Sequence, residues 1–132
     1  MKIRSGIDMV EISRISRLLE SEGDAFVKRC FTEGERTYCD SLKGRRRDES
    51  YAARFAAKEA ASKALGTGVM TRGISLKDFE VVRGGEGAPE LVMGGVAKEV
   101  AASMKISSVS VSLTHEKDYA AAVCQMISEA GV

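Results

Sequence analysis

Residues 50–66, SYAARFAAKEAASKALG, form the longest stretch of a single character in the chain. Alanine has no side-chain rotamers to lose, and no residue favours a helix more. Gly66 stands where a left-handed cap would close such a helix. The stretch therefore predicts a long helix from Ser50 to Leu65. Its many small side chains let neighbouring backbone approach closely. Phe55, Glu59 and Ser62 with Lys63 share one stripe through their i, i+4 and i+3/i+4 spacings.

Shorter elements flank this helix. Ile3 to Val10 reads as a short strand broken at Ser5-Gly6. Ile12, Ile15, Leu18 and Leu19 then recur at helical spacing, and Gly23 ends that helix. Thr32-Glu-Gly-Glu35 has the form of a capping box and opens a helix to about Leu42. Beyond Gly66, Leu76 to Val82 reads as a strand. Residues 84–89, GGEGAP, form a turn, and Glu90 to Met93 return as its hairpin partner. Val96 to Met104 is a short helix. Ser107 to Thr114 alternates, so that Val109, Val111 and Leu113 share a face. Tyr119 to Ile127 is a nearly unbroken apolar run, as in a strand buried on both sides. The class these elements imply is α+β: a mainly antiparallel sheet packed with the alanine-rich helix, in a single domain over residues 1–132.

Composition narrows the function. The 132 residues suffice for a real core, with 44% hydrophobic and 30% charged content. The net charge of +1 is too small for a protein that lives on bulk attraction to nucleic acid or anionic membrane. No stretch approaches the roughly 20 apolar residues of a membrane span. Asp8 and Glu11 interrupt what would be the apolar part of a secretory signal. Cys30, Cys39 and Cys124 are odd in number and widely spaced, which argues against a disulfide framework or a zinc site and suits a reducing cytoplasm. Charge is nevertheless uneven. Residues 28–58 carry nine Lys or Arg against five Asp or Glu, densest at Lys43-Gly-Arg-Arg-Arg47. That cluster reads either as a solvated loop or as a site for phosphate or an acidic partner.

Several familiar motifs are missing or out of context. Gly84-Gly-Glu-Gly87 precedes Pro89 and a strand, where a dinucleotide site would need a helix. His115 is the sole histidine, so no histidine-rich metal cluster forms, and no GxSxG elbow supports a catalytic triad. Two carboxylates are more informative. Asp8 closes the first strand and Glu59 sits mid-helix. Taken singly, Asp8 is a turn or cap residue and Glu59 pairs with Lys63 at i+4. Together, two carboxylates from distant segments are also what Mg²⁺ uses, alongside water and substrate phosphates. Gly66-Thr67-Gly68 reads as a cap, or as a loop offering N–H groups to phosphate.

The order of segments is more specific than any one of them. Gly6-Ile-Asp8 is followed by F-T-E-x-E at Phe31–Glu35, then R-F-A-A-K-E-A-x-x-K-A-L-G-T-G at Arg54–Gly68, G-x-P at Gly87–Pro89, and V-S-L-T-H at Val111–His115. This arrangement resembles the bacterial holo-[acyl-carrier-protein] synthases, the short 4′-phosphopantetheinyl transferases, over nearly the whole chain. Two positions depart from it. Arg4 stands where the family often has the first of two glycines, and Glu116-Lys117 follow His115 in place of a small polar residue.

The resemblance implies transfer of phosphopantetheine from coenzyme A to a serine hydroxyl of an apo acyl carrier protein. Adenosine 3′,5′-bisphosphate leaves, and the product serves fatty acid biosynthesis. The nucleophile belongs to the partner, which agrees with the absence of a triad. By the match, Asp8 and Glu59 hold Mg²⁺ against the pyrophosphate, and Lys63 adds its ammonium. Ser62 and the backbone at Gly66 and Thr67 supply neutral donors. Arg54 and His115 take the adenosine end, Arg45 and Arg46 its 3′-phosphate, and Pro89 lines the adenine pocket. Glu59 is the best candidate for general base, although one carboxylate cannot easily be both tight ligand and free base. Arg14, Arg17, Lys28 and Arg29 offer a basic surface to the acidic carrier. The family also implies a homotrimer with active sites between subunits, in the cytoplasm, with no nucleic-acid or membrane partner. The competing possibility is a non-enzymatic polyanion (RNA)-binding module using the basic region 43–54, which leaves Asp8 and Glu59 without a role.

Overall fold

The computed structural model describes residues 1–67 and 73–130. In chain order the elements are β1 (Lys2–Glu11), α1 (Ile12–Ser21), α2 (Asp24–Cys30), α3 (Glu33–Asp40) and α4 (Arg45–Leu65). After a 3-10 turn at Leu76–Asp78 come β2 (Phe79–Arg83), β3 (Pro89–Met93), α5 (Gly95–Ser103), β4 (Ile106–Glu116) and β5 (Tyr119–Ser128). The strands make two antiparallel sheets, one of order β1-β5-β4 and one hairpin of β2 and β3. The expected α+β class with antiparallel strands is what forms.

Helix α4 lies across the inner face of the larger sheet. Its buried alanines include Ala56, Ala57, Ala60, Ala61 and Ala64. A methyl group is all that the spacing to β1 allows. At Gly6 not even that fits, because a Cβ there would overlap the Ala60 carbonyl oxygen and the Ala64 nitrogen. Gly6 is thus the point where strand and helix backbones touch. On the other side of α4, Phe26, Phe31, Tyr51 and Phe55 form an aromatic cluster, with Phe31 and Tyr51 edge-to-face at 4.8 Å. The Thr32 capping box is complete: its hydroxyl accepts from the Glu35 N–H, and the Glu35 carboxylate accepts from the Thr32 N–H.

Five local expectations differ. Leu76–Asp78 form a 3-10 turn capped by Ser75, so the strand expected from Leu76 begins at Phe79. Strand β1 runs unbroken through Ser5-Gly6, since pairing with β5 holds both residues in register and Gly6 fits against α4. Helix α2 has no sequence signal of its own beyond Phe26, Val27 and Cys30 packing into the core. Helix α4 begins at Arg45 rather than Ser50, so Arg45, Arg46 and Arg47 are its first turn and not a loop. Strand β5 is buried on one side only. Its other side, with Tyr119 and Val123, is exposed together with Ile3, Ile7 and Met9 of β1. By register Ile3 faces Ile127, Ile7 faces Val123 and Met9 faces Ala121, so these make one apolar face. A contiguous apolar face, unlike a scattered exposed leucine, carries information.

Candidate active site

The close approach at Gly6 determines what happens two residues later. Asp8 is carried to the α4 surface beside Lys63, whose Nζ lies 3.2 Å from Asp8 Oδ1 and also donates to the Ile7 carbonyl at 3.0 Å. Glu59 is one helical turn before Lys63, on the same stripe. Burial raises the Glu59 pKa, the Asp8 charge raises it further, and Lys63 and Arg14 pull it down by less. A carboxylate whose charge a second carboxylate opposes makes, with it, a suitable donor pair for a divalent cation. Among the described residues no group of three or more His, Cys, Asp or Glu could hold a metal. An ion here would therefore take its other ligands from water and substrate oxygens.

Arg54 lies five residues before Glu59, about 140° around the helix. It faces a different space, an open groove of about 350 Å³ lined by Tyr38, Arg46, Arg54, Arg83, Pro89 and His115 among others. Arg54 is nine-tenths buried there. Its Nη1 donates to Ser50 Oγ at 2.8 Å and its guanidinium stacks on the Tyr38 ring at 4.6 Å. Its Nε is buried without a partner among the described residues. An unmade bond on a buried charged donor costs about 1–3 kcal/mol or more, which a ligand oxygen would recover. Arg46 is exposed at the rim. Tyr38 and Arg83 were not foreseen. Arg83 stands opposite Pro89 in the hairpin register and donates to the Tyr38 hydroxyl at 2.5 Å. The hairpin pattern could have pointed to Arg83, but nothing local points to Tyr38.

The chain therefore presents a carboxylate–ammonium cluster and, separately, a basic groove, in one order along one helix. The family model described as the 4′-phosphopantetheinyl transferase superfamily matches residues 4–124. The chain belongs to that superfamily. It is 46% identical over 125 residues to the holo-[acyl-carrier-protein] synthase of Carboxydothermus hydrogenoformans, covering 92% of this chain and 95% of that one. It is 42% identical over 115 residues to that of Solibacter usitatus, covering 87% and 90%. Among solved structures, the Helicobacter pylori holo-[acyl-carrier-protein] synthase in complex with coenzyme A superposes with a TM-score of 0.81 at 30% identity, covering 93% of this chain and 99% of that one. The Bacillus anthracis synthase, in complex with CoA (3′,5′-ADP), gives 0.78 at 36%, covering 96% of each. The chain is thus a transferase of the holo-[acyl-carrier-protein] synthase kind.

The remaining expected residues of the transferase fall unevenly. Pro89 and His115 reach the groove, and His115 Nδ1 is 3.8 Å from Glu49. Arg45 does not line it. Its Nε bonds Glu49 at 3.1 Å and its Nη2 bonds the Lys117 carbonyl. The neutral donors expected near the phosphates are already used. Ser62 Oγ donates to the Glu59 carbonyl at 2.8 Å, the Gly66 N–H to the Ser62 and Lys63 carbonyls, and the Thr67 N–H to that of Ser62. A helix that ends in a left-handed Gly66 must spend these groups on its own last turn. Gly68 lies outside the described residues. Arg14 and Arg29 line an apolar groove of about 330 Å³ together with Leu18, Phe26, Phe55 and Glu59. Lys28 lines a different groove with Arg36 and Lys77, and Arg17 is exposed on α1.

One buried pair was also missed. Lys58 and Glu35 are both fully buried, with Nζ 2.5 Å from Glu35 Oε1 and bonds to the Leu76 and Phe79 carbonyls. Glu35 Oε2 accepts from the Val81 N–H. Desolvation lowers the Lys58 pKa, against the pull of Glu35. This node ties α3 and α4 to the hairpin that carries Arg83 and Pro89.

Proposed function

We propose that this protein transfers 4′-phosphopantetheine from coenzyme A to a serine hydroxyl of an apo acyl carrier protein, releasing adenosine 3′,5′-bisphosphate, in cytoplasmic fatty acid synthesis. The observation that carries the proposal is the meeting of Asp8, Glu59 and Lys63 on one surface of α4, where a diphosphate needs both cations and carboxylates able to hold a cation. The serine oxygen attacks the phosphorus bearing the pantetheine arm. The bond between that phosphorus and the bridging oxygen breaks, and the negative charge leaves on the 5′-phosphate of adenosine 3′,5′-bisphosphate. Asp8 and Glu59 would hold Mg²⁺, which when bound supplies Lewis-acid polarisation of the phosphoryl oxygens and offsets charge on the leaving phosphate. Lys63 orients the diphosphate through its exposed ammonium. Glu59 is the carboxylate placed to take the serine proton, by way of an intervening water when the carboxylate is itself a ligand.

The adenosine end belongs in the groove, with Arg54 Nε free to bond an acceptor and Arg46 and Arg83 at its rim. Two observations support a homotrimer with shared sites. The groove and the carboxylate cluster lie on different sides of α4, so a neighbouring subunit has to bring one to the other. The apolar face of Ile3, Ile7, Met9 and Val123 needs a cover of its own kind. The carrier's acidic surface fits the basic rim of Arg14, Arg17, Lys28 and Arg29, with Glu59 lining the Arg14–Arg29 groove.

The polyanion-binding alternative loses ground here. Arg45 is paired with Glu49, and Arg47 with Asp40 and Asp48, so much of the basic stretch is neutralised within the chain. Among the described residues no helix is long and apolar enough to cross a membrane. The deciding experiment is mass spectrometry of an apo carrier protein incubated with this protein, coenzyme A and Mg²⁺. A gain of one phosphopantetheine, absent with EDTA and with Glu59→Ala, is expected. No gain with any carrier would overturn the reading.

A further inference from the structure

At the C-terminal end of α4 the backbone donors are spent on the cap. What such an end offers to its surroundings is carbonyl oxygen and the negative pole of the helix dipole, which repels an anion. Yet Lys63, proposed to hold a diphosphate, sits on that same last turn. Arg4 bears directly on the conflict. From the inner side of β1 its Nε donates to the Ala64 carbonyl at 2.8 Å, and its Nη2 reaches the Leu65 carbonyl at 3.4 Å. Its guanidinium lies so close over Gly66 that a Cβ there would overlap it, and Gly66 has φ +84° besides. Among the described residues no carboxylate forms an ion pair with Arg4. Its charge is committed to the helix end, whereas that of Lys63 is shared with Asp8.

We propose that Arg4 is a positioning residue of the transfer site: it caps the Ala64 and Leu65 carbonyls, holds the Gly66–Thr67 turn, and reverses the sign of charge at this helix end so that the diphosphate of coenzyme A can lie beside Lys63. The inference rests on the transferase reading. It acts through the helix end and needs no contact of Arg4 with substrate.

The test compares wild type with Arg4→Met, Arg4→Lys and Arg4→Gln in the assembled protein. Coenzyme A affinity is measured by calorimetry, KM and kcat by carrier modification, and melting temperature separately. Arg4→Met is expected to weaken coenzyme A binding about tenfold, at the upper end of what a charge at a partly buried helix end contributes. KM should rise in step while kcat stays within about twofold. Arg4→Lys should recover most of the affinity. Arg4→Gln keeps an uncharged N–H donor to the Ala64 carbonyl, so it should recover melting temperature but not affinity, and it keeps the comparison intact if Arg4→Met does not fold. Wild-type affinity in both Met and Gln variants would overturn the proposal and leave Arg4 a cap alone. So would a fall in kcat at constant KM. A wild-type protein that binds no coenzyme A would instead overturn the transferase reading, and the role of Arg4 with it.

Discussion

Lys58 and Glu59 are neighbours in the chain and meet opposite surroundings. Lys58 is sealed in the core with every donor directed at an acceptor: the Glu35 carboxylate and two backbone carbonyls. Glu59 is half-buried beside another carboxylate, and among the described residues its side chain receives no hydrogen bond. One charge is saturated and holds the frame; the other is left unsaturated and ready for a ligand. A site that is to bind a cation or take a proton must keep unmet demand, and the surrounding structure has to bear the cost.

The contrast breaks most severely at Lys58. Lys58→Met leaves the Glu35 carboxylate buried without its partner, which should cost about 3–5 kcal/mol and show as a large drop in melting temperature. Lys58→Met with Glu35→Gln should melt above the single variant, because no lone charge then remains and the amide oxygen still accepts a backbone N–H. A single variant as stable as wild type would show that the pair holds nothing together.

Gly6→Ala comes next. The added methyl drives β1 away from the Ala60 carbonyl at a cost of about 1–3 kcal/mol, and it moves Asp8 from Lys63. Activity should fall more than stability alone explains when assayed well below the melting temperature. Unchanged turnover would separate the strand contact from the site.

Glu59→Gln should have a smaller effect on stability, and of the opposite sign. The fold favours the protonated form of Glu59, so its contribution to stability is full below the ordinary carboxylate pKa and is lost as pH rises through the raised one. The variant should therefore melt higher than wild type at neutral pH and converge with it below about pH 4. The melting comparison is made without Mg²⁺, and transfer activity of the variant should be lost at every pH. Equal melting at pH 7 would mean that Glu59 is not under electrostatic strain.

Arg14→Glu should leave stability and coenzyme A affinity nearly unchanged and weaken carrier binding, measured by titration of apo carrier. Equal loss of both ligands would show that the two surfaces are not separate.

Local signals predicted most of the elements correctly. The alanine run, the Thr32 cap and the alternation of β4 each rest on interactions within a few residues, so they are visible one segment at a time. Of the candidate site, Asp8, Glu59 and Lys63 came together, while Ser62, Gly66 and Thr67 were drawn into the end of the helix that carries them. Tyr38, Arg83, the contact of Arg4 with the helix end and the Lys58–Glu35 pair were not legible, because each depends on a partner far along the chain.

By itself the sequence determined that α4 would form and that Glu59 and Lys63 would share one side of it. Helical periodicity sets the angle between residues, not the direction in which the helix as a whole is turned. Only the tertiary structure decided that. With the Gly6 backbone seated directly against that of Ala60 and Ala64, the helix lies with Lys58 toward the core and Glu59 toward Asp8, and the adjacent charge that could have been functional becomes structural.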